Sequence, residues 1–93
     1  MKNFSHVFRN KRYKVCFVKK VDEEGSWGEC DPPNKKNKKV KIRNNLSDKN
    51  TLTTAIDEAI HACIFDLDNE VVAEMSQSMS NFLWKLGYRR EIK

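Results

Sequence analysis

Thr51-Leu52-Thr53-Thr54-Ala55-Ile56-Asp57-Glu58-Ala59-Ile60-His61-Ala62-Cys63-Ile64-Phe65 runs without a proline or glycine, and its apolar residues recur at helical spacing. Leu52, Ile56, Ala59, Ile60 and Cys63 define one apolar face of a first helix. Ser47, Asp48 and Asn50, just ahead of it, are cap candidates whose side-chain oxygens can accept from the unpaired first-turn amides. At about 100° per residue, Asp57 and His61 lie about 40° apart and Glu58 about 60° beyond His61. These three polar groups therefore share the side away from the apolar face and can converge on one point.

Ahead of this helix the pattern is that of strands. Tyr13, Val15, Phe17 and Val21 are separated by Lys14, Cys16 and Lys19, a near period-two alternation of β-branched and aromatic residues over about residues 12–20. Asp22-Glu23-Glu24-Gly25 reads as a turn, and residues 26–31 as a short returning strand ended by Pro32-Pro33, since proline cannot donate to a ladder. Val40 and Ile42 alternate with Lys39, Lys41 and Arg43 as on a half-exposed strand, and so many lysines suggest a sheet edge. Residues 1–11 are weakly patterned and read as a flexible N-terminal arm, leaving 12–93 as one domain.

Behind the first helix, Asp66-Leu67-Asp68 makes a brief connection whose acids favour a helix N-terminus. A second helix over about residues 69–86 carries Val72, Met75, Met79, Phe82, Leu83 and Leu86 as an expected core stripe, and Gly87 suits its C-cap. The expected fold class is α+β: a small antiparallel three-stranded sheet followed by two helices.

A chain of 93 residues supports a single core. Nine aromatic residues argue for folding despite an apolar fraction of only 39%. No run is apolar enough to span a bilayer and the first residues lack the core of a signal peptide, so the expectation is no membrane partner and a cytoplasmic protein, in the host cytoplasm if viral. Cys16, Cys30 and Cys63 form no Cys-x-x-Cys pair and read as reduced thiols. The net charge of +5 is concentrated. Lys35, Lys36, Lys38, Lys39, Lys41 and Arg43 form one cluster, and Arg9, Lys11, Arg12 and Lys14 another, so contact with the phosphates of a nucleic acid is one candidate role.

The helix motif points elsewhere. In His-Glu-x-x-His, two histidines one turn apart bind zinc and the intervening glutamate deprotonates metal-bound water. Here His61 stands at the second histidine position and Glu58 at that of the base, while Asp57 replaces the first histidine. Aspartate can also bind zinc through oxygen.

Three segments, Gly28-Glu29-Cys30-Asp31-Pro32-Pro33, Asp57-Glu58-Ala59-Ile60-His61-Ala62 and Leu83-Trp84-Lys85-Leu86-Gly87-Tyr88-Arg89, together resemble the small metallopeptidase-like proteins of tailed phages, the mini-gluzincins. The resemblance covers about residues 12–90. It implies a zincin-like half-domain in which Asp57, His61 and Glu70 hold zinc, Glu58 is the catalytic base and Glu74 orients His61. Asn69-Glu70-Val71-Val72-Ala73-Glu74 is similar to the family segment that supplies the third ligand. With the first histidine replaced, the expected function is a zincin-like accessory or host-interaction module of weak or no catalytic activity, with an unknown protein or peptide partner. The alternatives are an active zinc-dependent peptidase and a nucleic-acid-binding protein using the lysine-rich segment.

Overall fold

The structure is a computed structural model and describes residues 2–90. Four strands, β1 (Phe4–Phe8), β2 (Lys11–Val18), β3 (Gly28–Cys30) and β4 (Lys39–Arg43), precede two helices, α1 (Asp48–Cys63) and α2 (Asn69–Leu86). The class is α+β. The sheet is four-stranded and mixed, in the order β1-β2-β4-β3, where three antiparallel strands were expected. Tyr13, Val15, Val40 and Ile42 of the sheet and Ala62 of α1 form the buried core.

Three differences have identifiable causes. The segment read as an arm supplies β1, which pairs antiparallel with β2 from Phe4 opposite Val15 to Phe8 opposite Lys11. The two strands are joined by Arg9 and Asn10 at φ 47° and 67°. Positive φ at both loop residues is what a two-residue hairpin requires to match strand twist. Asparagine tolerates that conformation but arginine seldom signals it, so the turn is hard to recognise.

The second difference is the pairing. The expected hairpin between residues 12–20 and 26–31 does not form; β4 inserts between those strands, parallel to β2, with Val15 beside Val40 and Phe17 beside Ile42. β3 pairs antiparallel with the other side of β4 and is the edge. β4 carries two β-branched residues at 2% and 3% exposure, which suits an interior strand, and its lysines mark the open face of the sheet rather than its edge. Asp31 ties the β3–β4 connection: its Oδ2 accepts from the Lys39 amide at 2.8 Å and its carbonyl from the Tyr13 hydroxyl at 3.0 Å.

The third concerns which helix faces are buried. α1 starts at Asp48 with Ser47 as N-cap, its side chain accepting from the Asn50 amide. Toward the sheet it turns Thr51, Thr54, Glu58 and Ala62, all buried, so the expected apolar face is rotated away from the sheet. The reason is close approach at β3: a Cβ on Gly28 would lie 2.8 Å from Thr54 Cγ2 and 2.9 Å from Glu58 Oε2. α2 lies against α1 through Val72, Ser76 and Ser80, all buried. Thr53 donates to Ser80 Oγ at 2.7 Å, and Ser80 donates to the Gln77 carbonyl at 3.2 Å. Small hydroxyl side chains let the helices approach closely with their polar atoms paired. Of the expected core stripe of α2, Val72 is buried and Met75 and Leu83 are half-buried, but Met79, Phe82 and Leu86 are left exposed at the surface. Gly87 is the C-cap, at φ 97°, with Tyr88 N–H donating to the Leu83 carbonyl at 3.1 Å, a left-handed termination only glycine adopts at little cost. Among the described residues no helix is long and apolar enough to cross a membrane.

Candidate functional site

One turn of α1 brings Asp57, Glu58 and His61 together at the end of the helix nearer its C-terminus. Among the described residues they are the group of acid and imidazole side chains gathered closely enough for one ion, their ligand atoms all lying within 4.8 Å of one another. The convergence expected from the spacing is therefore present. The cluster borders a cleft between α1 and the edge strand β3, lined also by Glu23, Glu29, Cys30, Phe65 and Asn69.

Each member has a distinct environment. Asp57 is engaged at both carboxylate oxygens. Its Oδ1 lies 3.4 Å from His61 Nε2, and its Oδ2 lies 3.2 Å from Ser76 Oγ on α2. Ser76 Oγ is also 3.1 Å from the Ala73 carbonyl, so one hydroxyl proton serves two acceptors. Glu58 is only 8% exposed. Burial raises its pKa from 4.5 to about 8, and the negative charges of Asp57 and Glu29 add to the effect, because desolvation and like charge both favour the neutral acid. Glu58 is therefore mostly protonated at neutral pH.

Cys30 lies in the same cleft. Burial pushes its thiol up to about 12, and it donates to the Asp31 carbonyl at 3.5 Å. A thiol that stays protonated is a poor metal ligand, since the thiolate is the ligating form. All three cysteines are free.

Glu70 and Glu74 are not part of this group. Both are exposed on α2, and Glu70 is placed by the N-cap, its amide donating to Asp68 Oδ1 at 2.8 Å. The α2 residue that does reach Asp57 is Ser76. Serine in the middle of an amphipathic helix gives no sign in sequence of facing a carboxylate. Gly28 was equally silent, although its missing side chain is what admits Glu58 to the sheet.

The lysine-rich segment divides. Lys35 pairs with Asp31 at 3.3 Å, Lys36 is exposed, and Lys38 lies over the Tyr13 ring at 5.7 Å. Lys39, Lys41 and Arg43 alternate along β4 on the sheet face away from α1, and register puts Lys14 of β2 beside Lys39. Lys41 is 3.7 Å from Asp22, and Arg43 Nε donates to Asn45 at 3.2 Å.

Comparison of the chain with protein-family models, with curated proteins and with solved structures returned no match in any of the three.

The donor set can be tested against a zinc site on these residues alone. Asp57 and His61 suit two ligand positions and Glu58 could fill a third. A hydrolytic centre of the His-Glu-x-x-His kind needs three protein ligands and a separate base. With Glu58 as ligand no base remains in the group, and with Glu58 as base only two ligands remain. The residues fit a weak cation site better than a catalytic one.

Proposed function

We propose that this protein is a zincin-like accessory module that has lost peptidase activity and acts by binding a protein or peptide partner. The observation carrying this reading is the setting of Asp57, which stands where the motif has its first histidine, accepts from Ser76 at one oxygen and has His61 Nε2 3.4 Å from the other. A carboxylate that accepts from Ser76 and lies against His61, beside a largely neutral Glu58, supports an arrangement that keeps the shape of the motif without its donors. One imidazole with two carboxylates is also a harder and less zinc-selective set than two imidazoles. The cleft between α1 and the edge strand β3 offers a peptide both backbone groups and side-chain acceptors.

Calorimetric titration of zinc tests the metal side of this reading. The wild type should bind weakly or not at all, Asp57→His should bind more tightly, and His61→Ala should lose whatever binding exists. Equal affinities in all three would show that the cluster is not a metal site in any form. Zinc-dependent peptide hydrolysis by the wild type would overturn the proposed loss of activity.

A second reading is favoured by the sheet register: Arg12, Lys14, Lys39, Lys41 and Arg43 share one face of β2 and β4. Such a face suits the phosphates of a nucleic acid. Affinity for DNA or RNA should then fall steeply with salt. A flat salt dependence would remove this reading.

A further inference from the structure

Val71, Met75, Met79, Phe82 and Leu86 recur along α2 at spacings of four, four, three and four residues. At about 100° per residue they fall within an arc of about 80°. The buried face of the same helix, Val72, Ser76 and Ser80, is centred about 100° further round. The stripe is therefore a second face, not the margin of the first. Val71 is 42% exposed, Met79 43%, Phe82 62% and Leu86 58%. A continuous apolar stripe on one helix is unusual on a monomer surface and marks a contact.

We infer that this stripe is a self-association surface, on which α2 pairs antiparallel with α2 of a second copy of the chain. The distribution of charge selects that occupant. The chain carries a net +5, yet between residues 66 and 90 there are four acids and three bases, so this is a face where two copies can meet without strong repulsion. The charges are also ordered: Asp66, Asp68, Glu70 and Glu74 lie toward the N-terminal end, and Lys85, Arg89 and Arg90 toward the C-terminal end. Parallel pairing would set like ends together. Antiparallel pairing sets each acidic end against a basic one.

The pairing can be placed more closely. Glu74 and Lys85 are separated by three turns, and both flank the stripe on the side away from the buried face. A two-fold axis at the level of Met79 and Ser80 brings Glu74 of one copy level with Lys85 of the other, and the reverse. The same axis makes the stripe side chains of the two helices alternate in height, so they interleave instead of colliding. Such an isologous contact is the commonest way for a soluble chain to associate. The stripe is about 22 Å long at 1.5 Å per residue, so one helix pair buries less than the ~800 Å² per partner of a standard interface. The dimer is accordingly a weak one, with a dissociation constant in the micromolar range.

The inference rests on exposure and charge and is independent of the metal reading, so the test uses the full 93-residue chain in the presence of a chelator. Sedimentation equilibrium from low micromolar to millimolar concentration should show the mass rising from 10.9 kDa toward twice that value. Phe82→Glu should remain monomeric across the range with unchanged circular dichroism and thermal midpoint. Glu74→Lys and Lys85→Glu should each weaken the dimer by up to about tenfold, since each turns two attractive cross-pairs into repulsive ones. The double variant should return close to the wild-type constant. A wild type that stays monomeric, a dimer that survives Phe82→Glu, or a double variant as weak as either single one would each overturn the inference.

Discussion

Glu58 makes the pH dependence of stability a direct probe of how α1 meets the sheet. Its carboxyl is raised from 4.5 to about 8, first by burial and then by the charges of Asp57 and Glu29. Between those two pH values the folded chain holds a proton that the unfolded chain has released. The unfolding free energy therefore falls as pH rises. The contribution is complete below about pH 4.5, declines through the window, and levels off above about pH 8. At 1.36 kcal/mol per pH unit the full decline is on the order of 5 kcal/mol, of which about 3 kcal/mol has been lost by pH 7. Against the total stability of a small domain, roughly 5 to 15 kcal/mol, this is a large fraction.

Glutamine has the shape of the protonated acid and does not titrate, so Glu58→Gln isolates the effect. Urea unfolding followed by circular dichroism, with chelator present, at intervals from pH 4 to pH 9 gives the two profiles. Wild type and variant should be similar near pH 4 and diverge steadily, the variant being more stable by about 3 kcal/mol at pH 7. Titrating groups that do not interact with Glu58 cancel in the difference. If the two profiles run parallel over the whole range, Glu58 is not buried against Gly28 and the account of the site's electrostatics fails.

Two further substitutions test the packing. Gly28→Ala places a methyl group where Thr54 and Glu58 already lie within 3 Å, and should cost on the order of 1 to 3 kcal/mol in denaturant unfolding; an unchanged midpoint would mean that α1 is further from β3. Val72→Ala, at a fully buried position, should cost about 2 kcal/mol, whereas Phe82→Ala at low protein concentration should stay within about 0.5 kcal/mol. The reverse order, measured by thermal unfolding, would restore the stripe of α2 to the core.

What the sequence made legible was local. The presence of α1, the extent of α2 and its capping by Gly87, Ser47 as one of three cap candidates for α1, and the convergence of Asp57, Glu58 and His61 all follow from spacing within a few turns; α1 begins at Asp48, three residues before the expected start. The strand character of residues 12–18 and 39–43 follows from alternation. The pairing of those strands did not follow, because a parallel neighbour depends on a connection that passes through β3 and across the sheet, and nothing local records it. β1 was hidden by its turn. Phe4-Ser5-His6-Val7-Phe8 does not alternate, with two adjacent polar and two adjacent apolar residues, and Arg9-Asn10 lacks the glycine that usually announces a tight hairpin.

The harder failure concerns burial, and it bears on the site. Hydropathy placed Glu58 on the side away from the apolar face of α1 and Phe82 in the core; the structure buries Glu58 and exposes Phe82. In each case the buried contact is made by small or hydroxyl-bearing groups: Gly28 and Thr54 around Glu58, and Thr53, Ser76 and Ser80 between the helices. Backbones brought close by such residues leave no room for large apolar side chains, which are turned outward. This close packing sets the chemistry of the cluster. The approach at Gly28 buries Glu58 and keeps it protonated, and the approach at Ser76 supplies the hydroxyl that engages Asp57. Placing a histidine at position 57 would therefore change a candidate ligand without changing either constraint. The variant should gain affinity for zinc, but it would still carry a base whose pKa is about 8 and which must lose its proton before it can act. Any peptidase activity gained by Asp57→His alone should be small and confined to alkaline pH, and high activity at pH 6 would show that Glu58 is not governed by its contact with β3.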